Sequence, residues 1–174
     1  MRTRLFTGTL ALLVAAGCGG GETDAVAWTD EVCGALAGFT RAATARPDLD
    51  LNDPGATVRG LGDYLGSTTA ALDDSISRLD AAGAAPVDGG DEYVSRLTNV
   101  LTQIRASFDA ARARIENIDP ASSATPLATA LPEAMAPLRA LSNLADPTAG
   151  LRSSAELQAA AEQAPNCRQL RAVG

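Results

Sequence analysis

Three cysteines, Cys18, Cys33 and Cys167, carry most of the chemistry open to this chain. A cysteine thiol can be modified, can pair with a second thiol, or can shuttle between the two states as a redox-active group. The last role lacks its usual frame, because no Cys-x-x-Cys is present to depress a thiol pKa. The other reactive side chains are few. The chain has no histidine, and every one of its 14 basic side chains is an arginine. A histidine-based triad and histidine metal ligation are therefore excluded, as is the Glu-x-x-His pair of a di-iron bundle. A serine–lysine arrangement fails for lack of lysine. Acid–base catalysis, if any, falls to carboxylates alone, and no catalytic, cofactor-binding or metal site is expected.

Two stretches come near a binding motif. In "DLDLND", Asp48, Asp50 and Asn52 match calcium-loop positions 1, 3 and 5. The sixth position, which should be the glycine that turns the loop, is Asp53, and the twelfth, which should be the closing glutamate, is Arg59. These failures make the stretch a solvated acidic turn. In "RGLGDYLG", Gly60, Gly62 and Gly66 do not have the spacing of a nucleotide loop, and no strand precedes them. They read as small residues that let two helices approach closely. Asp73 and Asp74, with Asp88, Asp91 and Glu92, read as helix-face and cap charges. Arg105, Asp109, Arg112 and Glu116 read as charge pairs within one helix, each contributing tenths of a kcal/mol.

The front of the chain explains the first cysteine. Arg2 and Arg4 form a positive n-region, Leu5 to Val14 an apolar stretch, and Ala15, Ala16 and Gly17 a run of small residues. The apolar stretch is about ten residues long, against the roughly twenty that a spanning helix needs. This order is that of a cleaved secretory leader covering residues 1–17. Ala15-Ala16-Gly17-Cys18 resembles the lipobox of bacterial lipoproteins, with alanine at Ala15 where leucine is usual. The resemblance implies that the Cys18 thiol takes a diacylglyceryl group, that the leader is cut just before it, and that residues 18–23 form a lipidated cysteine with a glycine-rich tether. It covers only this segment. Two acyl chains give stable attachment where one does not, so the expected location is the extracytoplasmic face of the cell membrane.

Without the leader about 157 residues remain, enough for one domain over residues 24–174. It carries 12 arginines against 21 carboxylates, a net charge of −9. Such a surface repels phosphate backbones, so nucleic acid is not an expected partner. It also repels anionic headgroups, leaving the acyl chains as the hold on the membrane. Alanine makes up about a fifth of the chain, and the composition resembles that of a high-GC actinobacterial genome.

The elements that must position these residues are helices. No repeat period and no alternation typical of strands is present. Trp28, Val32, Leu36, Phe39 and Ala43 share one face of a first helix over about Asp24 to Arg46, with Thr23 as candidate N-cap and Pro47 as its stop. Asp53 and Pro54 open a second helix lined by Val58, Leu61, Leu65, Leu72, Ile76 and Leu79, ending near "AAGAAP". The third begins near Asp91. Val94, Leu97, Leu101, Ile104, Phe108, Ala111, Ile115 and Ile118 alternate three and four apart along it, a sustained apolar seam, and Asp119-Pro120 ends it. A fourth stripe, Leu127, Leu131, Met135, Leu138, Leu141 and Leu144, begins at Thr125-Pro126. Pro132 and Pro137 interrupt it, which predicts a kink or break. A last helix starts at Ser153, with Glu156 completing a capping box, and ends before Pro165, leaving Cys167 and Leu170 in a final turn.

The expectation is an all-α antiparallel bundle of four to five helices. The whole chain loosely resembles small alanine-rich lipoproteins of actinobacteria through Trp28, Cys33 and Cys167, a resemblance that implies no activity. With Cys18 taken by lipid, only one pairing remains, and a Cys33–Cys167 disulfide is expected to join the first and last segments. The expected function is non-catalytic interaction at the cell envelope, with a protein or polymer as partner. The alternative is a carrier or sensor of an apolar small ligand in a groove between kinked helices, motivated by Pro132, Pro137 and the adaptable Met135.

Overall fold

The computed structural model describes residues 20–50, 52–119, 121–144 and 154–173, with the side chains of residues 20–23, 124 and 173 excepted. The leader, Cys18 and Ser153 lie outside the described residues. Within them the chain is all-helical, with seven α-helices and one 3₁₀ turn rather than four to five helices.

Three long helices form the frame: α1 (Gly20–Thr44), α2 (Pro54–Ala82) and α3 (Gly90–Glu116). α1 begins earlier than Thr23, so Thr23 lies inside its first turn instead of capping it. The tether expected over residues 18–23 is therefore already helix from Gly20 onward. Glycine is a poor helix former, but helices in proteins are held mainly by packing, and the buried Ala25, Trp28, Val32 and Leu36 provide it. α2 starts as expected, with the Asp53 carboxylate accepting from the Ala56 N–H at 2.9 Å and Pro54 at the first position. It stops at Gly83, whose φ of 67° suits glycine best.

Cross-helix contacts descend along one helix as they ascend along the next, so the frame is antiparallel. Trp28 meets Gly83, Ala35 meets Ser75, and Ala43 meets Tyr64 between α1 and α2. Asp73 meets Arg105 and Gly66 faces Arg112 between α2 and α3. The core lies where the three apolar faces converge. Leu65, Leu72, Leu79, Leu97, Leu101 and Ile115 are almost fully enclosed. Two edge-to-face aromatic pairs link α1 to α3, Trp28–Tyr93 with centroids 5.8 Å apart and Phe39–Phe108 at 6.5 Å. The third-helix seam packs as its spacing predicts, with Val94 and Ile118 at its ends only partly buried.

Short pieces complete the bundle. α4 (Ala124–Ala134), α5 (Ala136–Arg139) and a 3₁₀ turn (Ala140–Asn143) lie against α3, whereas α6 (Ala155–Gln163) and α7 (Pro165–Val173) lie against α1. The fourth stripe breaks at Met135. Pro137 has no N–H for the Glu133 carbonyl four residues earlier, and Arg114 of α3 donates to that oxygen instead, at 3.0 Å. Arg139 likewise donates to the Pro132 carbonyl at 2.6 Å. Other boundaries shift slightly. Ser123 rather than Thr125 precedes α4, leaving Pro126 in its first turn, where the N–H groups lack helical partners anyway. The cap of α6 is Ser154, whose hydroxyl accepts from the Leu157 N–H at 3.3 Å. Pro165, expected only as a stop, opens the nine-residue α7 in place of a final turn.

Candidate functional site

The chemistry concentrates where α7 meets α1. Cys33 and Cys167 are joined by a disulfide, with their Cα atoms 5.0 Å apart and a sequence separation of 134. Both are buried, Cys33 at 3% and Cys167 at 4% exposure, in a small cluster with Ala164 that is flanked by Ala161 and Leu170. The Cys167 Sγ lies 3.4 Å from the Thr29 carbonyl oxygen. A bridged sulfur has no proton to give, so this is packing.

Beside the disulfide lies a polar cluster that the sequence reading missed. Asp30 of α1 accepts from the Asn166 backbone N–H through Oδ1 at 2.7 Å. The Asn166 side-chain amide donates to the Asp30 carbonyl at 3.1 Å and to Oδ2 at 3.0 Å. Ala164 stands where the N-cap of α7 would be and has no side-chain acceptor. A carboxylate from another helix therefore fills the role, satisfying a free N–H and placing negative charge at the helix N-terminus. The signal was present in "APN": a proline opening a helix behind a residue that cannot cap it. Gly34, one turn along α1, leaves room for Asn166, since a Cβ there would sit 2.9 Å from its Nδ2. Arg78 of α2 donates to the Gly34 carbonyl at 3.2 Å.

Several of the other candidate groups are engaged structurally. Asp50 Oδ1 accepts from the Asn52 N–H at 2.9 Å, its carbonyl accepts from Thr57 Oγ1 at 2.6 Å, and Asp53 caps α2. Among the described residues no three His, Cys, Asp or Glu side chains converge on a metal-sized site. Gly60 admits a backbone instead of a phosphate: a Cβ there would collide with the Asp48 carbonyl, so this glycine seats the 45–53 loop on α2. Gly66 faces the Arg112 guanidinium. Arg105 extends the expected intrahelical pairing. It bonds Asp73 across to α2 as well as Asp109 at 3.3 Å on its own helix, and the Asp73 hydrogen bond, with both carboxylate charges, raises its pKa above the usual arginine value. Arg112 pairs with Glu116 at 2.7 Å.

Among the described residues, two open clefts stand out. One of about 540 Å³ lies between Ala85–Asp88 and the start of α6 at Ser154 and Glu156. The other, about 350 Å³, sits beside the kinked segment and is lined by Arg114, Asn117, Ile118, Ala130, Glu133 and Ala134. Met135, which with Pro132 and Pro137 motivated an apolar groove, packs with Leu131 and Leu138 against the bundle core. No helix among the described residues is long and apolar enough to cross a membrane. No protein-family model, no curated protein and no solved structure matches the chain.

Proposed function

We propose that the chain is a lipid-anchored protein of the extracytoplasmic membrane face. Its helical domain is not catalytic and docks a protein or polymer of the cell envelope. The carrying observation is the Cys33–Cys167 disulfide on the helix that begins two residues beyond Cys18. Such a bond persists in oxidising compartments, in agreement with the leader and the small residues before Cys18. Several carboxylates support a non-catalytic reading: Asp50 and Asp53 serve a turn and a helix end, and Asp73, Asp109 and Glu116 pair with arginines.

Two measurements test the proposal. Mass spectrometry of the mature N-terminal peptide should find the diacylglyceryl mass on Cys18, and Cys18→Ala should leave an uncleaved precursor or move the cut; an unmodified Cys18 overturns the anchor. Crosslinking the anchored protein in its own membrane should recover a discrete protein or polymer. Recovery of an apolar small molecule alone would overturn docking and favour a carrier.

A further inference from the structure

The C-terminal arm, α6 and α7, is tied to α1 at two adjacent points. On α1 the two are three residues apart, Asp30 and Cys33, and so share a face. On α7 they are neighbours, Asn166 and Cys167. The three hydrogen bonds from Asn166 to Asp30 involve no sulfur, so their chemistry does not require the disulfide. They also fix register. Sliding α7 by one residue would move Cys167 by about 1.5 Å along the axis and turn it by about 100°, away from Cys33.

We propose that the Asp30–Asn166 clasp docks α7 in register before the disulfide closes, and so sets the effective concentration of the Cys33 and Cys167 thiols toward each other. The bond forms in two exchange steps with a small-molecule disulfide such as oxidised glutathione. One protein thiolate attacks the oxidant, expelling a glutathione thiolate and leaving a mixed disulfide. The second protein thiolate then attacks the protein sulfur of that mixed disulfide and expels the other glutathione. Two protein thiols lose their protons, and two electrons pass to the oxidant. Both sulfurs are buried when the arm is docked, so the first step takes place with the arm away from α1 and the second needs it back. The clasp acts on that return. Gly34 belongs to the same device, because a side chain there would displace the Asn166 amide from Asp30.

The test uses the full chain carrying Cys18→Ala, so that two thiols remain. It is reduced and then equilibrated in glutathione buffers of graded ratio, and the oxidised fraction is read by alkylation and mass. Asn166→Ala should lower the effective thiol concentration about tenfold or more, the effect of losing one hydrogen bond to a charged group. Gly34→Ala should lower it too, although alanine favours helix over glycine. Leu101→Ala, in the core away from the arm, should leave it within about twofold of the parent while the reduced chain stays folded by circular dichroism. Gly34→Ala removes no polar group and carries the test if Asn166→Ala does not fold. Parent-like values for both clasp variants, or an equal fall for Leu101→Ala, would overturn the proposal.

Discussion

The Trp28 indole N–H donates to the Gly83 carbonyl at 3.1 Å, tying the early turns of α1 to the end of α2. The same ring meets Tyr93 of α3 edge to face at 5.8 Å. One side chain thus joins all three long helices at the end where α1 begins. Trp28→Ala should cost about 3–5 kcal/mol, the usual range for a large buried aromatic. Trp28→Phe keeps an aromatic ring but leaves the Gly83 carbonyl without its donor, and should cost about 1–2 kcal/mol. Urea unfolding followed by circular dichroism measures both. The chain's one tryptophan, 7% exposed, should also give the parent a blue-shifted fluorescence that moves red on unfolding.

Reduction of the disulfide should lower stability by about 5 kcal/mol, the chain-entropy figure for a closed loop of this length. For a domain of about 150 residues that is roughly a 10–20 °C fall in melting temperature. Scanning calorimetry with and without reductant after denaturation checks it, and a fall under about 3 °C would mean that the arm is held by its other contacts.

Wherever a stripe was long and uninterrupted, the sequence already disclosed the structure. Leu97, Leu101, Ile104 and Phe108 face inward because their spacing leaves a helix no alternative. Asp53-Pro54 starts α2 because both residues suit those two positions and few others. The pairing of Cys33 with Cys167 was legible by count once Cys18 was set aside. What escaped notice depends on partners distant in sequence. Asp30 caps a helix 136 residues away, a relationship with no local pattern. Ser75 is fully buried because its hydroxyl lies 2.7 Å from the Ala35 carbonyl of the neighbouring helix, and Tyr93 because Trp28 stands beside it. The broken fourth stripe was foreseen from its prolines, but the freed carbonyls taken up by Arg114 and Arg139 were not, since arginine carries no sequence mark of its acceptor.

Calcium should leave the melting temperature unchanged at millimolar concentration. A ligand that binds the folded state must stabilise it by mass action, yet Asp50 and Asp53 already accept backbone N–H groups at 2.9 Å each. A rise of several degrees in a thermal scan would show that the 48–53 turn rearranges around the ion.

Alkaline pH should weaken the fold through Tyr93. Its phenol is enclosed, with no hydrogen-bond partner for the hydroxyl among the described residues, and burial raises its pKa well above the ordinary value near 10. The charged form is the deprotonated one, so the folded state holds a proton that the unfolded chain releases. The sign follows from linkage. This contribution is fully present below the unfolded value and is lost as pH rises from there toward the folded value. Stability should therefore be flat with respect to this group from pH 7 to 9 and fall above about pH 10. Tyr93→Phe keeps the ring against Trp28 and removes an unsatisfied buried hydroxyl, so at pH 8 it should be neutral or slightly stabilising. Above pH 10 it should outlast the parent. Melting temperatures of the two proteins from pH 8 to 11 decide it. If the curves stay parallel throughout, Tyr93 ionises no differently in the folded state, and the phenol is reached by water.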